Sequence, residues 1–234
     1  MSLSQKYGRT LHYPFSPGAT HDDKINDTYW QDIAAIPHLV HTEKLDGENN
    51  CLSAHGVFAR SHTAPTTSPW TQHLRQFWAG IRYDLGDYEI FLENLYATHS
   101  IACSHLPSYY YVFAIREHDI WLSWPETEMI AGFFNLPTVP VVASGPAPDS
   151  RSQYEKDIRY MAAGRGNFGP VDAHTGNACS IEGIVTRNYN QYPTSGFANN
   201  VFKYVRANHV QTTEHWTRNW QRATLNLQNH VDNK

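Results

Sequence analysis

An α+β fold with antiparallel sheets is what this sequence predicts, and three observations predict it. Short aromatic and apolar runs of strand character recur along its length, as at Tyr88–Tyr96 and Tyr109–Ile115. Between them lie segments whose apolar residues repeat at helical spacing. Neither an internal repeat nor a linker interrupts the series, so one core has to serve all of it. At 234 residues the chain is long enough to bury that core.

Taken in order, the first forty residues mix Pro, Gly, His and Asp and read as loop, with a short helix over Asp27–Ile36. Val40–Arg60 reads as a hairpin whose β-compatible runs, NCLSAHG and VFARS, meet near His55-Gly56. Ser61–Pro69 is Thr/Pro-rich loop. Trp70, Leu74, Phe77, Trp78 and Ile81 then fall on one helical face. The runs at Tyr88–Tyr96 and Tyr109–Ile115 read as buried strands, with Ile120–Leu122 pairing the latter. Glu126–Phe134 is a helix that stops before Pro137, and Thr138–Ser150 is a strand followed by Pro/Gly loop. Ser152–Ala163 is another helix. Ile181–Arg187 and Asn200–Arg206 are strands separated by a polar loop. From His209 the tail has a helical pattern, with Val210, Trp216, Trp220 and Leu227 as packing positions and Arg218 and Arg222 on one face.

Composition narrows the classes. Apolar residues make up 41% and charged residues 17%, which excludes a disordered chain. No apolar run approaches the roughly 18 residues of a membrane span, and MSLSQKYGRTLHYP lacks a signal peptide's apolar core. Cys51, Cys103 and Cys179 are far apart and odd in number, which suits reduced thiols in a cytoplasmic setting and not a structural zinc. The formal net charge of −4 gives no global basic signature, so any nucleic-acid contact has to come from local clusters or a bound cation.

Several motifs fail their structural context. Gly164, Gly166 and Gly169 match G-x-G-x-x-G, but the match follows a helix pattern and precedes Pro170, so it reads as an ordinary loop. No Walker-type loop and no H-E-x-x-H is present.

HTEKLDGENN, His41–Asn50, is the stretch with chemical potential. Lys44 lies between an apolar approach and a turn at Asp46-Gly47, where glycine lets backbone come close to a bound group. A lysine nucleophile must be neutral, against a free pKa of about 10.4, and that requires a dry setting or a nearby cation. Alone, K-x-D-G reads as an exposed strand–turn lysine. Other charges nevertheless recur in strand-like segments: Arg60 ends the hairpin, Glu93 sits in FLENLYATHSI, Glu117 follows Phe113 in YYVFAIRE, Glu182 opens EGIVTRN, and Lys203 and Arg206 lie in VFKYVR. Burying charge is costly unless it is paired or binds something.

In this order, KLDGEN, FLENLY, YYVFAIRE, EGIV and VFKYVR resemble the motif series of the covalent nucleotidyltransferases, the superfamily of polynucleotide ligases and mRNA capping enzymes. The resemblance runs from about Val40 to about Trp216. Asn49, where DNA ligases and capping enzymes usually carry Arg, makes it most similar to RNA ligases. Two departures stand out: Val205 occupies the position of a second lysine in many relatives, with Arg206 beside it, and no separate OB-fold is evident after the last motif.

The resemblance implies a single nucleotidyltransferase domain over residues 1–234, with antiparallel sheets enclosing a nucleotide pocket and a helical C-terminal tail. It implies ATP-dependent joining of an RNA 3′-hydroxyl to a 5′-phosphate through lysyl-AMP and adenylated RNA, with Mg²⁺ or Mn²⁺. Lys44, Lys203 and Glu182 would be catalytic, and Glu182 and Glu93 would hold metal. Glu43, Leu45, Asp46, Asn49, Arg60, Glu93, Phe113, Glu182 and Lys203 would form the nucleotide site, with Phe113 on the adenine and Glu93 also at the ribose. The partners expected are RNA ends or a nicked duplex containing RNA, met by a monomer at no membrane, with Arg187, Arg206, Arg218 and Arg222 as candidate contacts. DNA nick sealing, capping-type guanylyl transfer and a non-catalytic nucleotide- or RNA-binding module are the alternatives.

Overall fold

A computed structural model of the chain describes residues 4–169, 171–172, 175–207 and 216–226. In chain order its elements are β1 (Leu11–His12), α1 (Tyr29–Ala35), β2 (Leu39–Lys44), β3 (Glu48–Ser53), β4 (Gly56–Ala59), α2 (Gln72–Ile81), β5 (Tyr88–Asn94) and β6 (Tyr110–Glu117). There follow β7 (Ile120–Trp121), α3 (Trp124–Phe133), β8 (Val141–Gly145), α4 (Arg151–Ala162), β9 (Gly183–Asn188), β10 (Tyr192–Pro193) and β11 (Val201–Val205). One sheet has the order β1-β11-β9-β2-β8 and the other β10-β7-β6-β5-β3-β4. Every pairing is antiparallel except that of β1 with β11. The α+β fold with antiparallel sheets is as the sequence predicts.

Strand alternation decides which residues meet. On β9, Ile184 joins a core with Tyr13, Tyr29, Ile33 and Tyr154, beneath α1 and α4, while its neighbours Val185 and Arg187 wall a cavity. On β11, Phe202 and Tyr204 join the same core, and Lys203 between them faces the cavity. The larger core fills the other side, with Cys51, Ile90, Phe91, Val112 and Ile115 of the six-stranded sheet packed with Leu74 of α2 and Ile130 of α3. A capping box between Ser123 and Glu126 starts α3. Asn135, in the left-handed region at φ 56°, helps end it before Pro137.

Two elements differ from expectation. The stretch Val40–Arg60 is not one hairpin. The hairpin is β3–β4, and β2 belongs to the other sheet, so the chain crosses between sheets at Leu45–Gly47. Gly47 permits the crossing, because a Cβ there would lie 2.6 Å from the Asn94 carbonyl oxygen. The helical tail is the second difference. Val210 and Leu227 lie outside the described residues, and Trp216–Arg218 is a single 3₁₀ turn. Beyond it the backbone bonds outward instead of to itself: Thr98 N donates to Gln221 O, Ala223 N to Tyr96 O, and Asn226 N to Leu106 O, at 2.9–3.0 Å. Arg218 and Arg222 therefore share no helical face.

Candidate active site

Between the sheets opens a cavity of about 530 Å³. Glu43, Lys44, Leu45, Asn49, Arg60, Glu93, Phe113 and Lys203, eight of the ten residues expected to be catalytic or nucleotide-binding, line it. Asp46 and Glu182 do not. They line a smaller space behind Lys44, together with Cys103, Phe168 and Cys179.

Register explains the central contact. Lys44, last in β2, is the Cα partner of Gly183 on β9, so Glu182 comes alongside and accepts from Lys44 Nζ at 2.6 Å. Gly183 is itself wedged against β11, where a Cβ would lie 1.9 Å from the Tyr204 carbonyl oxygen. No larger residue fits that approach, which places the Glu-Gly pair structurally. Burial pulls the Lys44 ammonium toward neutrality, but the charges of Glu182, Glu93 and Asp46 outweigh it and hold its pKa above the usual lysine value.

Glu93 Oε1 accepts from Gly47 N at 3.0 Å, so the carboxylate near the end of β5 grips the crossing next to Lys44. Burial pushes its pKa up to about 7, with Lys44 and the Gly47 amide opposing and Glu182 and Asp46 adding to the rise. Asp46 Oδ2 accepts from Ser100 N and Ile101 N at 2.7 and 2.9 Å, pinning the loop after β5. Glu43 is raised by burial and stabilised by Asn167, which donates from N and Nδ2 to its Oε2. The loop carrying the G-x-G-x-x-G match thus closes behind Glu43.

Lys203 is lowered by burial; Asp23 opposes that shift, while Lys44 and Arg60 reinforce it. Its Nζ lies 3.5 Å from Asp23 Oδ1, which also meets His12 Nε2 at 3.2 Å. Phe113 packs edge-on to Tyr7 at 5.0 Å, with the Arg187 guanidinium 5.7 Å from its ring. Arg187 is buried and donates from Nη1 to Thr42 Oγ1 at 2.6 Å, while its Nε is buried with no hydrogen-bond partner among the described residues. It is a cavity residue, not a surface contact. Arg206 is spent on Ile181 O and Ser180 Oγ. Arg222, at the surface, donates to Tyr109 Oη.

Sequence reasoning missed the N-terminal share of this wall. Tyr7, Gly8 and Thr10 line the cavity, and His12 and Asp23 bracket Lys203. The only signal was the aromatic-rich YGRTLHY, whose strand character appears once β11 is there to pair with it. His99, Val139 and Trp216 were missed as cavity residues too.

The cavity fits a nucleotide. It presents the cations Lys44, Arg60, Arg187 and Lys203, the aromatic Phe113, and the Asn49 Oδ1, which is buried without a hydrogen-bond partner among the described residues. Among the described residues no group of three or more His, Cys, Asp or Glu is placed to hold a metal. A divalent ion taken with a substrate's phosphates needs only one or two carboxylates, and Glu182 and Glu93 both stand beside Lys44. No described helix is long and apolar enough to cross a membrane.

A family model described as RNA ligase matches residues 37–205, well over half of the chain. Among solved structures, an archaeal ATP-dependent RNA ligase is similar at a TM-score of 0.53 and 15% identity, over 87% of this chain and 48% of that one. A Naegleria gruberi RNA ligase mutant, solved with ATP and Mn, is similar at 0.54 and 16%, over 90% and 62%. At these identities the likeness shows the nucleotidyltransferase fold, and the chain spans about half the length of the archaeal ligase. No curated protein matches by sequence.

Proposed function

The chain belongs to the RNA ligase family, and we propose that it is an ATP-dependent enzyme joining an RNA 3′-hydroxyl to a 5′-phosphate. The observation that carries this is Lys44, placed where the chain crosses between sheets, on the wall of a nucleotide-sized cavity and in contact with Glu182.

In the first step the Lys44 amine attacks the α-phosphorus of ATP. A nitrogen–phosphorus bond forms, the bond to pyrophosphate breaks, and AMP remains on Nζ. AMP then passes to the 5′-phosphate of an RNA strand, and a 3′-hydroxyl attacks that phosphate as AMP leaves. Each step is an in-line displacement, in which alignment and charge neutralisation supply most of the catalysis.

The residues have work in that chemistry. Lys44 must shed its proton, and Glu182 is the strongest charge holding it, so drawing Glu182 from Nζ frees the amine. Lys203 and Arg60 neutralise phosphate oxygens. Phe113 and Val185 offer apolar surface to the base, Glu43 and Leu45 border its edge, and Asn49 offers an open acceptor. Asp46 shapes the pocket from behind by fixing the crossing. Glu182 and Glu93 would hold a divalent cation, Mg²⁺ or Mn²⁺, whose contribution when bound is to neutralise phosphate charge. The protein acts as a monomer on RNA ends, including nicks that contain RNA.

The test is transfer of label from α-labelled ATP to protein. Wild type is expected to form an acid-labile adduct on Lys44. Lys44→Ala is expected to form none, yet still to join RNA already 5′-adenylated, since the last step needs no nucleophilic lysine. An adduct mapped to another lysine would overturn the assignment.

A further inference from the structure

Two separate aromatic groups wall the cavity, and a single bound nucleotide has only one base. The first is Phe113 with Tyr7. The second is Trp216, whose indole stacks on His99 with centroids 3.8 Å apart and planes 20° from parallel. Among the described residues no ring contact connects the two groups. Trp70 braces the Trp216 indole edge-on at 4.9 Å. The backbone bonds that tie residues 221, 223 and 226 to the body hold this segment in place. His99 Nδ1 lies 3.9 Å from Asp46 Oδ1, so the platform is fixed to the same turn that carries Lys44.

We propose that Trp216, backed by His99, is a second nucleobase site that stacks the unpaired terminal base of an RNA end presented to the Lys44-bound nucleotide. This rests on the end-joining reading above. Joining brings a further nucleotide to the phosphorus held at Lys44, and that nucleotide's base needs a surface of its own. Aromatic stacking is the sequence-tolerant way to supply one. In a chain of net charge −4 it also replaces electrostatic grip that the protein lacks.

The experiment uses the full chain and short single-stranded RNAs carrying 2-aminopurine at one end. One RNA has it at the 3′-hydroxyl nucleotide, the other at the 5′-phosphate nucleotide. Stacking is expected to quench the fluorescence of one of them, which identifies the strand end that is seated. Trp216→Leu, which keeps an apolar side chain but cannot stack, should weaken that binding roughly five- to hundredfold. Trp216→Phe should retain most of it. Trp216→Leu should weaken RNA binding by a far larger factor than it slows labelling by ATP, and the melting temperature of each variant separates a fold defect from a lost stacking surface.

Equal RNA binding by wild type and Trp216→Leu would overturn the proposal. So would loss of ATP labelling in Trp216→Leu at an unchanged melting temperature, which would assign the indole to the ATP site. Absence of ATP labelling in wild type would instead sink the ligase reading, and the quenching result would stand on its own.

Discussion

Lys44 and Glu182 oppose each other chemically, and pH exposes the opposition. The amine must be neutral to attack, so the rate of ATP labelling is expected to climb with pH until Lys44 deprotonates. Burial favours the neutral amine, but Glu182, Glu93 and Asp46 hold the proton, which places that limb on the alkaline side. Glu182→Gln removes the largest of the opposing charges. The limb should then move to lower pH, while the plateau falls on the order of a hundredfold through lost transition-state stabilisation. A limb unmoved by Glu182→Gln, read from single-turnover labelling across pH, would mean that Glu182 does not control the amine. Phe113 is open to a similar test. It is 5% exposed and packed on Tyr7, yet it borders the cavity. Phe113→Ala should weaken ATP binding by about 1–3 kcal/mol of lost stacking, and Phe113→Tyr should be nearly silent, both measured by titration calorimetry.

At the scale of elements, the close approach of β9 to β11 is the sensitive point. Gly183→Ala would drive a methyl into the Tyr204 carbonyl, which is backbone and cannot swing aside. The expected cost is about 1–3 kcal/mol in denaturant unfolding, with ATP labelling falling further because Glu182 is displaced along with its neighbour. Most of these elements are legible in the sequence. The runs at Tyr88–Tyr96, Tyr109–Ile115 and Asn200–Arg206 announce strands because alternation and burial are local properties. The crossing at Leu45–Gly47 is not legible, since a turn between strands of one hairpin and a turn between two sheets use the same residues. Nor is β1, a two-residue strand that exists only because β11 lies beside it. Ordered motifs reveal Lys44, Glu93, Glu182 and Lys203 through their charges in strand-like runs. Asp23 and His12 beside Lys203, and Trp216 at the cavity, carry no such signature, because their places depend on contacts far along the chain.

Over the whole molecule the net charge is −4, and the four cations of the cavity share its wall with Glu43, Glu48 and Glu93. Substrate grip should therefore be local. Single-stranded RNA held through two to four phosphates should show a log–log salt slope of roughly −1.5 to −3. Recognition of the 2′-hydroxyl, or of the A-form geometry it favours, should make a 3′-terminal ribose preferred over deoxyribose. A matched set of nicked and single-stranded substrates, ribo- and deoxyribo-terminated at two salt concentrations, checks both expectations. Equal sealing of all-DNA nicks would overturn the RNA assignment. The pairing of β1 with β11 has a further consequence, one of timing. The five-stranded sheet joins residues 11–12 to 201–205, and the cavity wall runs from Tyr7 to Trp216. Contacts of such separation form late, after the entropy of closing nearly the whole chain has been overcome. During synthesis, Lys44 emerges from the ribosome long before Lys203 does. A nascent or truncated chain that exposes Lys44 thus lacks the far wall of its cavity, so labelling by ATP is expected only of a chain whose two distant strands have met.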